Sequence, residues 1–200
     1  FLHIENNINP KETIGKSTKV GLRNIADRYG LITNKRVIIE NNNKTFKVVT
    51  SQSECFMLPA NVFSINGNKV KISGNKTTST SFIGSLDNKS LSSSKRILVL
   101  FLTDLKNTDS VVEYEKNGSC ILKEAGSPPF LIRQGTITIS INTENSILPD
   151  IWALKYDGSR VVRLKPVKTA QGFSFVAKAV TRKDAYFAYE VVWQNQLSTL

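Results

Sequence analysis

Thr136-Ile137-Thr138-Ile139-Ser140-Ile141 places an isoleucine at every second position and a hydroxyl side chain between each pair. Successive side chains of an extended chain point to opposite faces, so this stretch predicts a strand with one apolar and one polar face. The rest of the sequence agrees with that choice. It holds 16 Val, 18 Ile and 16 Thr against 9 Ala, so a quarter of the 200 residues are β-branched and the best helix former is scarce. Ser, Thr and Asn number 54, which suits polar strand faces and turns.

Strands separated by turns are predicted from Leu31 onward. Val62–Ile65 and Lys69–Ile72 flank Asn66-Gly67-Asn68, and Val111–Glu115 and Ser119–Lys123 flank Asn117-Gly118. Ile151–Tyr156 and Arg160–Leu164 flank Asp157-Gly158. Asn-Gly and Asp-Gly between β-rich runs are the strongest short-range hairpin signals. Val37–Ile39 and Thr45–Val49 form a fourth hairpin around Asn41-Asn42-Asn43, and Ser79–Leu86 turns at Asp87-Asn88. Lys95–Thr103 contains six consecutive apolar residues, Ile97–Leu102, and is expected to be a central strand buried on both faces. Pro128-Pro129 reads as punctuation before Phe130–Arg133; Phe173–Ala177 and Ala185–Trp193 complete some twelve strands. The expected fold is all-β: an antiparallel β-sandwich, jelly-roll-like, with little helix. Residues 1–30, Asn-rich and broken by Pro10, read as a lead-in or linker segment that packs on or precedes the domain at 31–200.

The formal net charge is +11, of which +9 falls in residues 1–100. Basic residues are spread singly and no basic tract is interleaved with aromatics, so nucleic acid is not an expected partner. A six-residue apolar run falls far short of the roughly 20 that span a bilayer, so neither is a membrane. The chain begins at Phe1 without a basic-then-apolar leader and reads as a mature or excised piece.

Catalytic groups are scarce. His3 is the only histidine, and it lies in the lead-in. Cys55 and Cys120 are 65 residues apart in apolar surroundings and are expected to be buried thiols. No metal site or cofactor is expected; Asp104 and Asp109 are the loop acids that could hold a structural calcium. Glu113 and Glu115 share a strand face as a glycosidase pair would, but charge on a solvent-facing strand explains them as well. The aromatic residues are the remaining chemistry, because a ring can stack on the apolar face of a sugar. Trp152, Tyr156 and Trp193 are the candidate carbohydrate-binding residues, with Tyr114 and Tyr186 as further exposed rings. Trp152 alternates with Leu154 and Tyr156, and Trp193 with Phe187, Tyr189 and Val191; both sets also fit inward-facing positions.

The run from Phe82-Ile83-Gly84-Ser85-Leu86-Asp87-Asn88 to Lys95-Arg96-Ile97-Leu98-Val99-Leu100, continuing through Thr103-Asp104-Leu105-Lys106-Asn107-Thr108, is distinctive. It resembles a module at the C-terminal end of large bacterial glycoside-hydrolase-like proteins. Similar patches are Thr45–Glu54, Trp152-Ala153-Leu154 with Asp157-Gly158-Ser159-Arg160, and Tyr189-Glu190-Val191-Val192. The similarity covers residues 31–193. Ser51-Gln52 stands where such modules often carry Pro-Arg, and Asp109-Ser110 where Gly-Met is commoner.

The resemblance implies an all-β accessory domain of an exported protein, secreted or at the cell surface. The leading expectation is a non-catalytic carbohydrate-binding module of a plant-polysaccharide-degrading glycoside hydrolase, binding a β-glucan or hemicellulose-type polysaccharide. The alternative is a structural β-sandwich that packs against a catalytic barrel without binding sugar. Its expected partners are the polysaccharide and the upstream catalytic domain of the same polypeptide. A linear array of exposed rings would mark the first reading, an exposed apolar patch the second.

Overall fold

The computed structural model describes residues 37–40, 44–116, 119–181 and 184–193, with 37–40 as backbone alone. The chain divides into units Phe1–Val37 and Ile38–Leu200, and the account that follows is of the second. The expected lead-in, residues 1–30, lies outside the described residues.

All regular elements among the described residues are strands. They are β1 (Val37–Glu40), β2 (Thr45–Val49), β3 (Ser53–Leu58), β4 (Ile65–Asn66), β5 (Val70–Ser73), β6 (Ser79–Ser85), β7 (Arg96–Leu102), β8 (Leu105–Thr108) and β9 (Val111–Tyr114). They continue with β10 (Cys120–Glu124), β11 (Ser127–Ile132), β12 (Thr136–Asn142), β13 (Asp150–Leu154), β14 (Arg160–Leu164), β15 (Val167–Thr169), β16 (Gly172–Lys178) and β17 (Ala188–Val192). An eight-stranded sheet runs β1-β2-β3-β6-β7-β17-β13-β14, and a five-stranded sheet runs β15-β16-β12-β5-β4. Pairing from β2 to β14 and throughout the smaller sheet is antiparallel, as expected for a β-sandwich.

The alternation in β12 sets the smaller sheet. Ile137, Ile139 and Ile141 are buried and stand beside Ala177, Phe175 and Phe173 of β16. On the other side Ile139 and Ile141 pair with Ile72 and Val70 of β5, all buried. The larger sheet contributes Phe56, Leu58, Ile83, Ile97, Val99, Phe101, Ile151, Ala153, Tyr189 and Val191 to the same core. Each such side chain contributes roughly 1.5–3 kcal/mol on full burial, so this one layer outweighs every surface contact described below.

β7 corrects one expectation. It is central, between β6 and β17, but only Ile97, Val99 and Phe101 are buried, while Leu98 and Leu100 are half-buried and Leu102 is exposed. It belongs to a two-layer sandwich in which nothing described covers its second face. Pro128 and Pro129 lie within β11, not ahead of it, at the irregularity between Ser127 and Phe130. β11 pairs with β8 alone, so the missing N–H groups break no ladder on its other edge.

Two polar contacts join the sheets. Glu54, fully buried on β3, accepts hydrogen bonds from the backbone N–H of Asn68 (3.1 Å) and Lys69 (2.6 Å) in the β4–β5 turn. Burial pushes its carboxyl up, and the N–H groups of Lys69, Asn68 and Val70 pull it back down. The glycine of Asn66-Gly67-Asn68 is required by this approach: a Cβ there would overlap Glu54 Oε2 and come within 2.8 Å of Phe56 Cζ. Tyr189 makes the second contact. Its hydroxyl donates to the Lys178 carbonyl (2.7 Å) and accepts from the Lys178 N–H (2.8 Å) at the end of β16. Burial pushes its pKa up to about 12, with the Lys178 backbone bond opposing.

Asp87 fixes the β6–β7 connection by accepting from the Lys95 N–H and the Ser85 and Ser94 hydroxyls, all at 2.8 Å. Burial would raise its carboxyl, but these donors outweigh it and hold the pKa at about 2.

Gly67→Ala and Glu54→Gln are each expected to lower unfolding free energy by about 1–3 kcal/mol, measured by urea denaturation. The first forces overlap and the second turns an amide NH2 toward a backbone donor. A depressed carboxylate contributes stability above its unfolded pKa and loses it as pH falls through its folded value. Stability should therefore decline between the ordinary aspartate value of 3.8 and about 2. Asp87→Asn should flatten that part of the pH profile in the same denaturation assay.

Candidate functional site

The five candidate rings occupy three kinds of place. Trp193 is 8% exposed, stacks edge-on with Phe173 at 5.6 Å, and its Nε1–H donates to the Ile147 carbonyl at 2.7 Å. Tyr186 is 5% exposed and donates its hydroxyl to Asp184 at 3.2 Å. Both rings serve the core and have little face left for a sugar. Tyr114, 79% exposed, lies on β9, and Tyr156, 93% exposed, lies in the β13–β14 turn and meets Phe187 edge-on at 5.9 Å. Trp152 is half-buried. The structure brings Trp152 and Tyr156 onto one hairpin and leaves the other three elsewhere.

Trp152 and Leu154 face outward, whereas Ile151 and Ala153 enter the core. The register surrounds Trp152 with charge. It pairs with Arg163 of β14 on one side and Glu190 of β17 on the other. The guanidinium carbons of Arg160 and Arg163 stand 5.8 Å and 6.0 Å from its ring centroid, within cation–π range. Its Nε1 is buried with no hydrogen-bond partner.

Glu190, 4% exposed, is the hub of this corner. Oε1 accepts from Arg96 Nε at 2.6 Å and Oε2 from Arg160 Nε at 2.7 Å, so two guanidinium groups share one carboxylate. Burial would raise the carboxyl, but the hydrogen bonds and charges of Arg160 and Arg96 prevail and lower it. Arg163 is ion-paired with Asp150. Sequence reasoning picked out Trp152 and its hairpin but not that Arg160 and Arg163 turn to the ring's face, nor Arg96, because Arg96 and Glu190 are 94 residues apart and become neighbours only through the β7–β17 pairing.

The carboxylates weighed for catalysis are dispersed. Glu113 is exposed and ion-paired with Lys123 at 2.9 Å, and Glu115 lies beyond the end of β9. A 420 Å³ concavity beside Trp193 contains Glu144 and Asp150. Glu144 accepts from the Ser92 hydroxyl at 2.8 Å, and Asp150 is committed to Arg163. Asp104 pairs with Arg133 at 2.9 Å, and Asp109 occupies a left-handed turn position, φ 59°. Both cysteines are free thiols: Cys55 is half-buried, and Cys120, expected in the interior, is exposed on β10.

A second feature is apolar. Strands β8 to β11 leave the sandwich as a 28-residue arm, Leu105–Ile132, made of the two-stranded sheets β9/β10 and β8/β11. No described residue of the arm is buried, yet it carries Leu105, Val111, Val112, Tyr114, Ile121, Leu122, Phe130 and Leu131, all exposed. Val112, Tyr114, Cys120 and Leu122 share one face of β9/β10, and Glu113 and Lys123 lie on the other. Where the two small sheets meet, Gly126 (φ 69°) passes so close to the end of β8 that a Cβ would overlap the Thr108 carbonyl and reach 2.6 Å from Ser110 N. The outer face of the larger sheet is also apolar. Val48, Cys55, Phe82, Leu100, Ala188 and Leu154 form a half-buried row across six strands. The smaller sheet instead shows Lys71, Thr138, Ser140, Ser174 and Lys178 outward, an ordinary solvent face.

Comparison with family models, curated proteins and solved structures finds no match.

Glu190→Gln should lower unfolding free energy by about 1–3 kcal/mol at neutral pH, because one guanidinium group then faces an amide NH2 and both lose the countercharge. The wild-type advantage should vanish as pH falls through the lowered Glu190 value. Urea denaturation of both proteins across pH checks the amount and the sign.

Proposed function

We propose that the chain is a non-catalytic accessory β-sandwich of an exported, polysaccharide-active protein, and that it docks on the catalytic domain of the same polypeptide. The observation that carries this reading is the arm: eight large apolar side chains stand exposed on 28 residues that have no core. Two-stranded sheets are marginal alone in water, and apolar surface on this scale marks an interaction site. The outer row of the larger sheet adds a second apolar surface. The polysaccharide context comes from the sequence resemblance, as does placement outside the cell or at its surface.

Sugar binding remains the second reading, favoured by Trp152 and the 93% exposed Tyr156 on one hairpin. It lacks a linear ring array, since Trp193 and Tyr186 are in the core.

Calorimetry of the longer polypeptide tests the docking. A docked domain unfolds in one coupled transition, and Tyr114→Asp with Leu122→Asp and Phe130→Asp should split it in two. Two independent transitions in the unaltered protein, one at the isolated chain's melting temperature, would refute docking. Affinity electrophoresis in the neutral glycans hydroxyethylcellulose, arabinoxylan, xyloglucan, mannan or β-glucan is expected to show no retardation. Retardation by a neutral glycan that Trp152→Ala or Tyr156→Ala abolishes would establish the second reading instead.

A further inference from the structure

The corner built on Glu190 has chemistry that docking does not use. Three arginines meet two carboxylates there: Arg96 and Arg160 on Glu190, and Arg163 on Asp150. One positive charge is left over. Arg96 and Arg160 each spend Nε on Glu190, and their terminal nitrogens make no hydrogen bond among the described residues. A buried carboxylate fixes where both guanidinium groups sit, and the Trp152 ring lies against the group of Arg160. Both side chains remain substantially exposed, at 59% for Arg96 and 42% for Arg160. Planar N–H forks held in place before a ligand arrives match a carboxylate bidentately and lose little conformational freedom on binding it.

We infer that Arg96 and Arg160, both held by Glu190 and the second backed by Trp152, form a binding site for the carboxylate groups of a uronate-bearing polysaccharide. The bound anion balances the one uncompensated charge. Tyr156, in the turn leading into Arg160, supplies an exposed ring against which the apolar face of a neighbouring sugar can lie. The inference takes its polysaccharide class from the proposed function, but its site shares no residue with the arm and lies where the apolar row of the larger sheet ends, on β7, β13, β14 and β17.

Affinity electrophoresis through polygalacturonate, with its fully methyl-esterified form as the uncharged control, tests the inference. Three proteins are run: the unaltered chain, Arg96→Lys/Arg160→Lys, and Lys168→Gln/Lys178→Gln. The arginine-to-lysine pair keeps net charge and a partner for Glu190 but loses the forks. The lysine-to-glutamine pair lowers net charge by two on the opposite sheet. The unaltered chain should be retarded by polygalacturonate and not by the ester. Arg96→Lys/Arg160→Lys should weaken retardation about tenfold, while Lys168→Gln/Lys178→Gln stays within about twofold. Circular dichroism melts of all three confirm that each is folded. Weakening of Lys168→Gln/Lys178→Gln as large as that of Arg96→Lys/Arg160→Lys would show that the guanidinium forks are not the determinant and overturn the site. No retardation, equal retardation by the ester, or full retention in Arg96→Lys/Arg160→Lys would overturn it too.

Discussion

The sandwich is arranged around a single apolar layer held between two sheets, because each sheet fully buries only one of its faces. Ile137, Ile139 and Ile141 meet Phe56, Val99, Phe101, Tyr189 and Val191 in one cluster. Apolar contact alone would let two sheets slide over each other, since burial is not directional. Glu54 and Tyr189 remove that freedom. Each reaches from the larger sheet to backbone groups of the smaller one, and a buried polar group is costly to leave unpaired. Gly67 is tied to the same requirement, because the turn that carries the amides must come within contact distance of the carboxylate.

That arrangement decides what is left over for function. Two layers, with no third among the described residues, leave two outer faces. The smaller sheet fills its own with Thr, Ser and Lys, and the larger sheet fills its own with an apolar row that ends in the Trp152 and Glu190 corner. The arm extends this asymmetry, with an apolar face on β9/β10 and an ion pair on the back. The apolar surface of the arm and the arginine forks are different chemistries on different elements, so one domain can dock through the first and hold an anion through the second.

The parts of the fold legible in the sequence were those set by neighbours along the chain. The alternation of Thr136–Ile141, the Asp157-Gly158 hairpin and the Asp87-Asn88 turn all stand as read. The glycine of Asn66-Gly67-Asn68 was legible as a turn residue, while the carboxylate that makes it necessary was not. Runs in which every residue is apolar hid their phase. Ile151-Trp152-Ala153-Leu154 and Ile97–Leu102 carry no polar mark to say which side is outer, and each was read as more deeply buried than it is. Partner strands supply that mark, near and far along the chain: the arginines of neighbouring β14 lie over Trp152, and Glu190 of distant β17 reaches Arg96. The arm was legible as a hairpin at Val111–Lys123 but not as an extension without a core, because its strands have the same composition as buried ones.

The central proposal is that the arm, which has no support among the described residues, is covered by another domain. Hydrogen–deuterium exchange of the isolated chain, followed peptide by peptide, tests it most directly. The amides of β8 to β11 should exchange completely within seconds, while those of β6, β7, β12 and β17 remain protected for hours. Protection of Leu105–Ile132 equal to that of the sandwich strands would show that the arm is stable by itself and contradict the account.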